Sequence, residues 1–117
     1  MENKVSFNDR MVVIVPQGLD KLWAVKANLK IPFEKIKGAT IDDGILKELK
    51  GFRAPGTSIL GVYYAGTFYI NGEKTFFNIK RSSEAVVIQL DNYDYDRVII
   101  GVENPRELVD QINRVIQ

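Results

Sequence analysis

The chain has 117 residues, 45% hydrophobic and 26% charged, the balance of an ordinary soluble globular domain that folds on one core without disulfide or metal staples. Sixteen Lys and Arg against fifteen Asp and Glu leave a net charge of +1, far from the basic excess that drives phosphate-dominated binding, so no nucleic-acid partner is expected. With no Cys and no His, thiol nucleophiles, disulfides, structural zinc sites and imidazole acid-base chemistry are excluded, and neither a cofactor nor a metal site is expected.

Taken in chain order, Val5-Ser6-Phe7 alternates weakly, and the β-branched run Met11-Val12-Val13-Ile14-Val15 predicts a strand buried on both faces, stopped at Pro16. The apolar run is too short for a signal peptide and no segment approaches the length of a membrane span, so a cytoplasmic location is expected. Leu19 to Ala27 fits a helical stripe through Leu19, Leu22, Trp23 and Ala27 or a strand through Trp23, Val25 and Ala27; the reading adopted is a short helix. Leu29-Lys30-Ile31 and Phe33 to Ile36 straddle Pro32, which marks an edge or a bend, and a short strand is expected through Ala39-Thr40-Ile41. Asp42-Asp43-Gly44 is turn chemistry, Ile45 to Leu49 supports one or two helical turns, and Gly51 to Gly61 reads as a glycine-punctuated loop.

Aromatic and β-branched runs on both sides of Asn71-Gly72 predict a hairpin, because both residues of such a turn take positive φ. Ala85 to Leu90 and Arg97 to Val102 predict a second antiparallel pair across the polar turn Asp91 to Asp96. The period then changes. Asn104 fits a helix cap, Pro105 its first position and Glu107 a capping-box variant, while Leu108, Val109, Ile112, Val115 and Ile116 form one apolar stripe, with Asp110 and Arg114 as an i,i+4 pair elsewhere. The chain as a whole, residues 1–117, reads as one domain, mainly β, with about seven antiparallel strands in a barrel or sandwich closed by one C-terminal helix.

Several of these segments also resemble the bacterial pleckstrin-homology-like (PH-like) family. They are Leu22 to Lys26 with Leu29 to Pro32, Arg53 to Thr57, Ala65-Gly66-Thr67-Phe68, Lys74 to Phe77, and Ala85 to Leu90 with Tyr95-Asp96-Arg97. The likeness runs from about Val12 to Ile116. It implies a PH-like fold in an intracellular bacterial setting and brings no catalytic residue with it.

Each motif has a plain structural reading. Gly51 to Ser58 has the glycine spacing of a phosphate-binding loop but puts Thr57 where the lysine belongs, so it reads as a loop. Asp91 to Asp96 lacks the glycine and the glutamate of a calcium loop and reads as a solvated turn; Asp42-Asp43 reads as a turn rather than a carboxylate dyad. Phe68, Tyr69, Phe76 and Phe77 point to both faces of one hairpin, so one face is core and the other is either an exposed patch for a partner or covered by the loop Gly51 to Gly61; the reading adopted is the cover.

Residues 21–53 carry eight basic side chains against four acids, and Arg53, Lys35, Lys37 and Lys50 are the candidates for an interaction or anion contact. Those cations are dispersed along 33 positions, so strong phosphoinositide or membrane-surface binding is not expected. The expected function is a non-enzymatic binding or assembly module, with a protein partner or self-association; the alternative is a small-ligand or lipid-headgroup-binding β-barrel, marked by a hollow interior or a polar pocket.

Overall fold

Asp9 and Arg10 sit at φ 51° and 59°, so the first turn is a two-residue reversal with both residues in the left-handed region. It joins β1 (Asn3–Asn8) to β2 (Met11–Pro16) as an antiparallel hairpin with Asn8 opposite Met11. In a computed structural model of the protein, residues 3–17, 28–46, 56–59 and 63–117 are described, with the backbone alone at 56–59 and 63. Leu19 to Ala27, with Trp23, lies outside the described residues. Asp and Arg lack glycine's freedom at positive φ, and each such residue costs about 1 kcal/mol. Asp9→Asn with Arg10→Gly is therefore expected to raise the unfolding free energy by about 1 kcal/mol, read as a higher urea midpoint. The relief of strain outweighs the loss of the Arg10 guanidinium 5.7 Å above the Phe33 ring.

β3 (Leu29–Pro32) completes a three-stranded sheet in the order β1-β2-β3. Pro32 both ends this edge strand and starts the bend, for a single 3-10 turn over Phe33–Lys35 leads into β4 (Ile36–Ile41). Val12 and Ile14 are fully buried, whereas Met11, Val13 and Val15 on the opposite face are only half-buried. The expectation of a strand buried on both faces is thereby corrected: the three-stranded sheet is antiparallel and the described core covers one side of it.

The second sheet runs β4-β8-β9-β7-β6-β5, with β5 (Gly56–Ile59), β6 (Tyr63–Ile70), β7 (Glu73–Lys80), β8 (Val86–Leu90) and β9 (Arg97–Ile100). The β6–β7 hairpin turns at Asn71 and Gly72, at φ 52° and 81° as that pair requires. Gly56–Ile59, read from sequence as loop, is instead an edge strand paired with β6; Gly56-Thr57-Ser58-Ile59 carries no apolar alternation to signal it. The rest of that loop lies outside the described residues. Nine strands are described in place of about seven, and they are not all antiparallel: β9 inserts between β8 and β7 and runs parallel to β7.

Side-chain alternation gives the second sheet two apolar faces. On one, Phe76, Ile88, Leu90, Val98 and Ile100 meet Val12, Ile14 and Ile31 of the first sheet together with Leu108, Val109 and Ile112 of α1 (Pro105–Val115). On the other, Phe68, Phe77, Ile79 and Ile99 pack with Ile45 and Leu46, which follow the turn after β4. Phe68 and Phe77 meet edge-on with centroids 4.9 Å apart, and Tyr69 is 54% exposed. The described cover of that second face is thus Ile45 and Leu46.

Pro105 starts α1 and Asn104 occupies its cap position, yet the Asn104 side chain makes no capping bond, which corrects the capping-box reading; its backbone φ of −125° and ψ of 79° go with that absence. The stripe is also narrower than expected, with Val115 exposed and Ile116 half-buried. Next to Ile112, Asn113 accepts a hydrogen bond from the Ala39 N–H and donates one to the Ala39 carbonyl, both at 2.9 Å. A single amide thus takes the place of a neighbouring strand on the outer edge of β4.

Candidate functional site

Among the described residues the interior is filled: Ile14, Ile31, Ile88, Ile100 and Ile112 have no solvent-accessible surface, and the described space between the two sheets is occupied by the chain's own side chains.

Two polar amides hold the start of β1 against the larger sheet. Asn3, fully buried, donates to the carbonyls of Asn78 and Gly101 at 2.8 Å each and accepts from the Asn78 side-chain amide at 2.9 Å. Beside this anchor, an open groove of about 400 Å³ runs between the beginning of β1 and the first half of α1. Val5, Val102 and Leu108 give it an apolar lining, and Lys4, Glu103 and Glu107, all exposed, give it charge of both signs. Gln17 and Gln111 complete its polar lining. A wider depression on the other side of Asn104 and Glu107 is lined, apart from Pro105, by polar and charged residues, with Arg106, Asp110 and Arg114 one helical turn apart.

Sequence charge pointed elsewhere. Lys35 closes the 3-10 turn, half-buried, with its carbonyl accepting the Asp91 N–H at 2.8 Å. Lys37 is the exposed extra residue of a β-bulge, where the register slips between Ile36 and Gly38. Lys50 and Arg53 lie outside the described residues. Neither Lys35 nor Lys37 lines the groove, because the turn and bulge between β3 and β4 set their place. The acids serve turns: Asp42 Oδ1 accepts the Gly44 N–H at 3.0 Å, and Asp96 Oδ2 accepts the Lys74 N–H at 2.8 Å. Among the described residues no three His, Cys, Asp or Glu side chains converge on a metal position.

Residues 10–116 match the family described as bacterial PH domain. The chain belongs to that family. None of the curated proteins and none of the solved structures matches it. PH-like domains are generally non-catalytic modules that mediate protein or lipid interactions. No helix among the described residues of this bacterial PH domain is long and apolar enough to cross a membrane.

Sequence reasoning missed the groove because its two sides, the start of β1 and the start of α1, lie at opposite ends of the chain. The one legible signal was the switch from strand to helix at Asn104, which marks where one wall of the groove begins.

Tyr93 links the acidic turn to the first sheet, its hydroxyl donating to the Lys30 carbonyl at 3.2 Å. Burial first, and then the Asp94 carboxylate and the neighbouring Tyr95, raise its phenol above the ordinary value of 10.0. The folded state thus favours the neutral phenol, and its contribution is present below pH 10 and lost as pH rises through the raised value. Tyr93→Phe is expected to be less stable than the parent at pH 7, with the difference narrowing above about pH 10 when urea midpoints are compared.

Proposed function

We propose that this bacterial PH domain is a cytoplasmic, non-enzymatic binding and assembly module whose partner is a protein. The observation that carries the reading is the filled interior beside an open, mixed-charge groove at the β1–α1 junction. Protein surfaces combine such apolar centres with polar surrounds, whereas small-ligand sites enclose most of the ligand. Of the candidate cations that are described, neither Lys35 nor Lys37 lines the groove, which favours a protein over a phosphorylated headgroup as its occupant.

The test is selection of peptides from a random display library, followed by affinities for the parent, Glu107→Arg and, as a remote control, Ser82→Lys. Selected peptides are expected to lose about tenfold or more in affinity on Glu107→Arg and to ignore Ser82→Lys. Peptides equally indifferent to both changes would contradict the reading. So would pelleting with phosphoinositide vesicles that Lys35→Ala with Lys37→Ala abolishes.

A further inference from the structure

Sheet edges invite pairing, and two of the edges described here are blocked by named groups. On β4, Asn113 occupies both backbone groups of Ala39. On β3, the Tyr93 hydroxyl occupies the Lys30 carbonyl and Pro32 has no N–H to offer. Among the described residues β1 has no such guard: it pairs there with β2 alone, contains no proline, and carries a single charge, Lys4.

The turn fixes which groups are open. A two-residue hairpin loop makes its flanking residues a doubly hydrogen-bonded pair, so Asn8, Ser6 and Lys4 aim their backbone groups at β2. Val5 and Phe7 therefore aim their N–H and C=O groups away from it, and among the described residues no hydrogen bond reaches those four groups.

We infer that β1 is a self-pairing edge, joining a second copy of this chain antiparallel across a two-fold axis at Ser6 to make one continuous six-stranded sheet. The inference rests on the reading of this protein as a protein-interaction module and names its partner. Three features fit a second copy. Val5 of one copy falls opposite Phe7 of the other, which closes four backbone hydrogen bonds around the axis and pairs two half-buried apolar side chains. Lys4 falls opposite Asn8 of the second copy, so no like charges oppose. Asp9, exposed in the adjacent turn, comes within reach of Lys4 of the second copy, and the symmetry makes that complementary contact twice.

The axis offers a clean test because the chain has no cysteine. Ser6 is exposed, and facing itself in a non-hydrogen-bonded pair it sits at about 4.5 Å between Cα atoms, inside the range a disulfide spans. Under mild oxidation Ser6→Cys is expected to convert to covalent dimer while Ser82→Cys, exposed elsewhere, does not. In sedimentation, Lys4→Glu is expected to weaken the dimer about tenfold, and Lys4→Glu with Asp9→Lys to restore it.

Equal cross-linking at both cysteines, a folded Ser6→Cys protein that stays monomeric, or a charge swap that fails to restore association would each overturn the inference. A monomer that still binds groove peptides through Glu107 would overturn self-pairing alone. A Ser6-dependent dimer that selects no groove peptides would support self-pairing and remove the groove reading.

Discussion

A chain ending at Glu103 is expected not to fold. Its missing helix buries Leu108, Val109 and Ile112 in the core shared by both sheets. At roughly 1.5 to 3 kcal/mol per buried side chain, their loss is comparable with the roughly 6 to 18 kcal/mol of a domain this size. It also opens the cluster that these three side chains share with Ile36, Val12 and Ile14 and strips Ala39 of both its Asn113 hydrogen bonds. The measurement is a thermal melt followed by circular dichroism, where a broad, non-cooperative signal is expected. A cooperative transition near the parent temperature would mean that the sheets close without the helix. The substitution Asn113→Leu separates the two contributions, since it keeps the apolar stripe and removes only the bonds to the β4 edge, at about 1 to 3 kcal/mol.

Asn3→Ala is the second large effect, expected to cost about 3 to 5 kcal/mol. The side chain is buried with three hydrogen bonds at 2.8 to 2.9 Å, and its removal leaves the Gly101 carbonyl and the Asn78 side-chain amide without those bonds inside the protein. Each buried hydrogen bond so lost costs about 1 to 3 kcal/mol, and a small cavity adds to it. Urea unfolding should show the drop, and the melting temperature should fall by about 15 °C or more. Asn3→Ala with Asn78→Ala should cost less than the two single changes summed, because they share a bond. A loss under about 1 kcal/mol for Asn3→Ala would mean that water replaces the amide and that the start of β1 is not held in this way.

What could be read from sequence was what local chemistry dictates. Asn71-Gly72 demands two positive φ angles and delivers the β6–β7 hairpin, and Asn104-Pro105 with its apolar stripe delivers α1. Asp9-Arg10 makes the same kind of turn with residues that strain to do so, so β1 and β2 could be suspected as strands but not joined as a hairpin. The parallel pairing of β7 with β9 joins strands separated by β8, which no local pattern encodes. The amides that matter most, Asn3 with Asn78 and Asn113 with Ala39, are single polar residues whose partners lie 75 and 74 positions away.

The candidate site followed the same division. Counting charge selected Lys35 and Lys37, but a bulge and a 3-10 turn decide where those side chains stand. The groove is instead made by the junction of two ends, the start of β1 and the start of α1, brought together by the Asn3 anchor. Edge protection was equally illegible, since Tyr93 and Asn113 guard β3 and β4 from distant positions in the chain. Only the assembled sheets reveal that, among the described residues, nothing guards β1.

Amide hydrogen exchange at β1 tests the self-pairing edge most directly. The N–H groups of Lys4, Ser6 and Asn8 face β2 and should be protected at every protein concentration, whereas those of Val5 and Phe7 face outward. Protection of Val5 and Phe7 that grows with protein concentration, and that Lys4→Glu removes, is the expected result. Fast exchange at Val5 and Phe7 at every concentration, with Lys4 and Ser6 protected throughout, would contradict it.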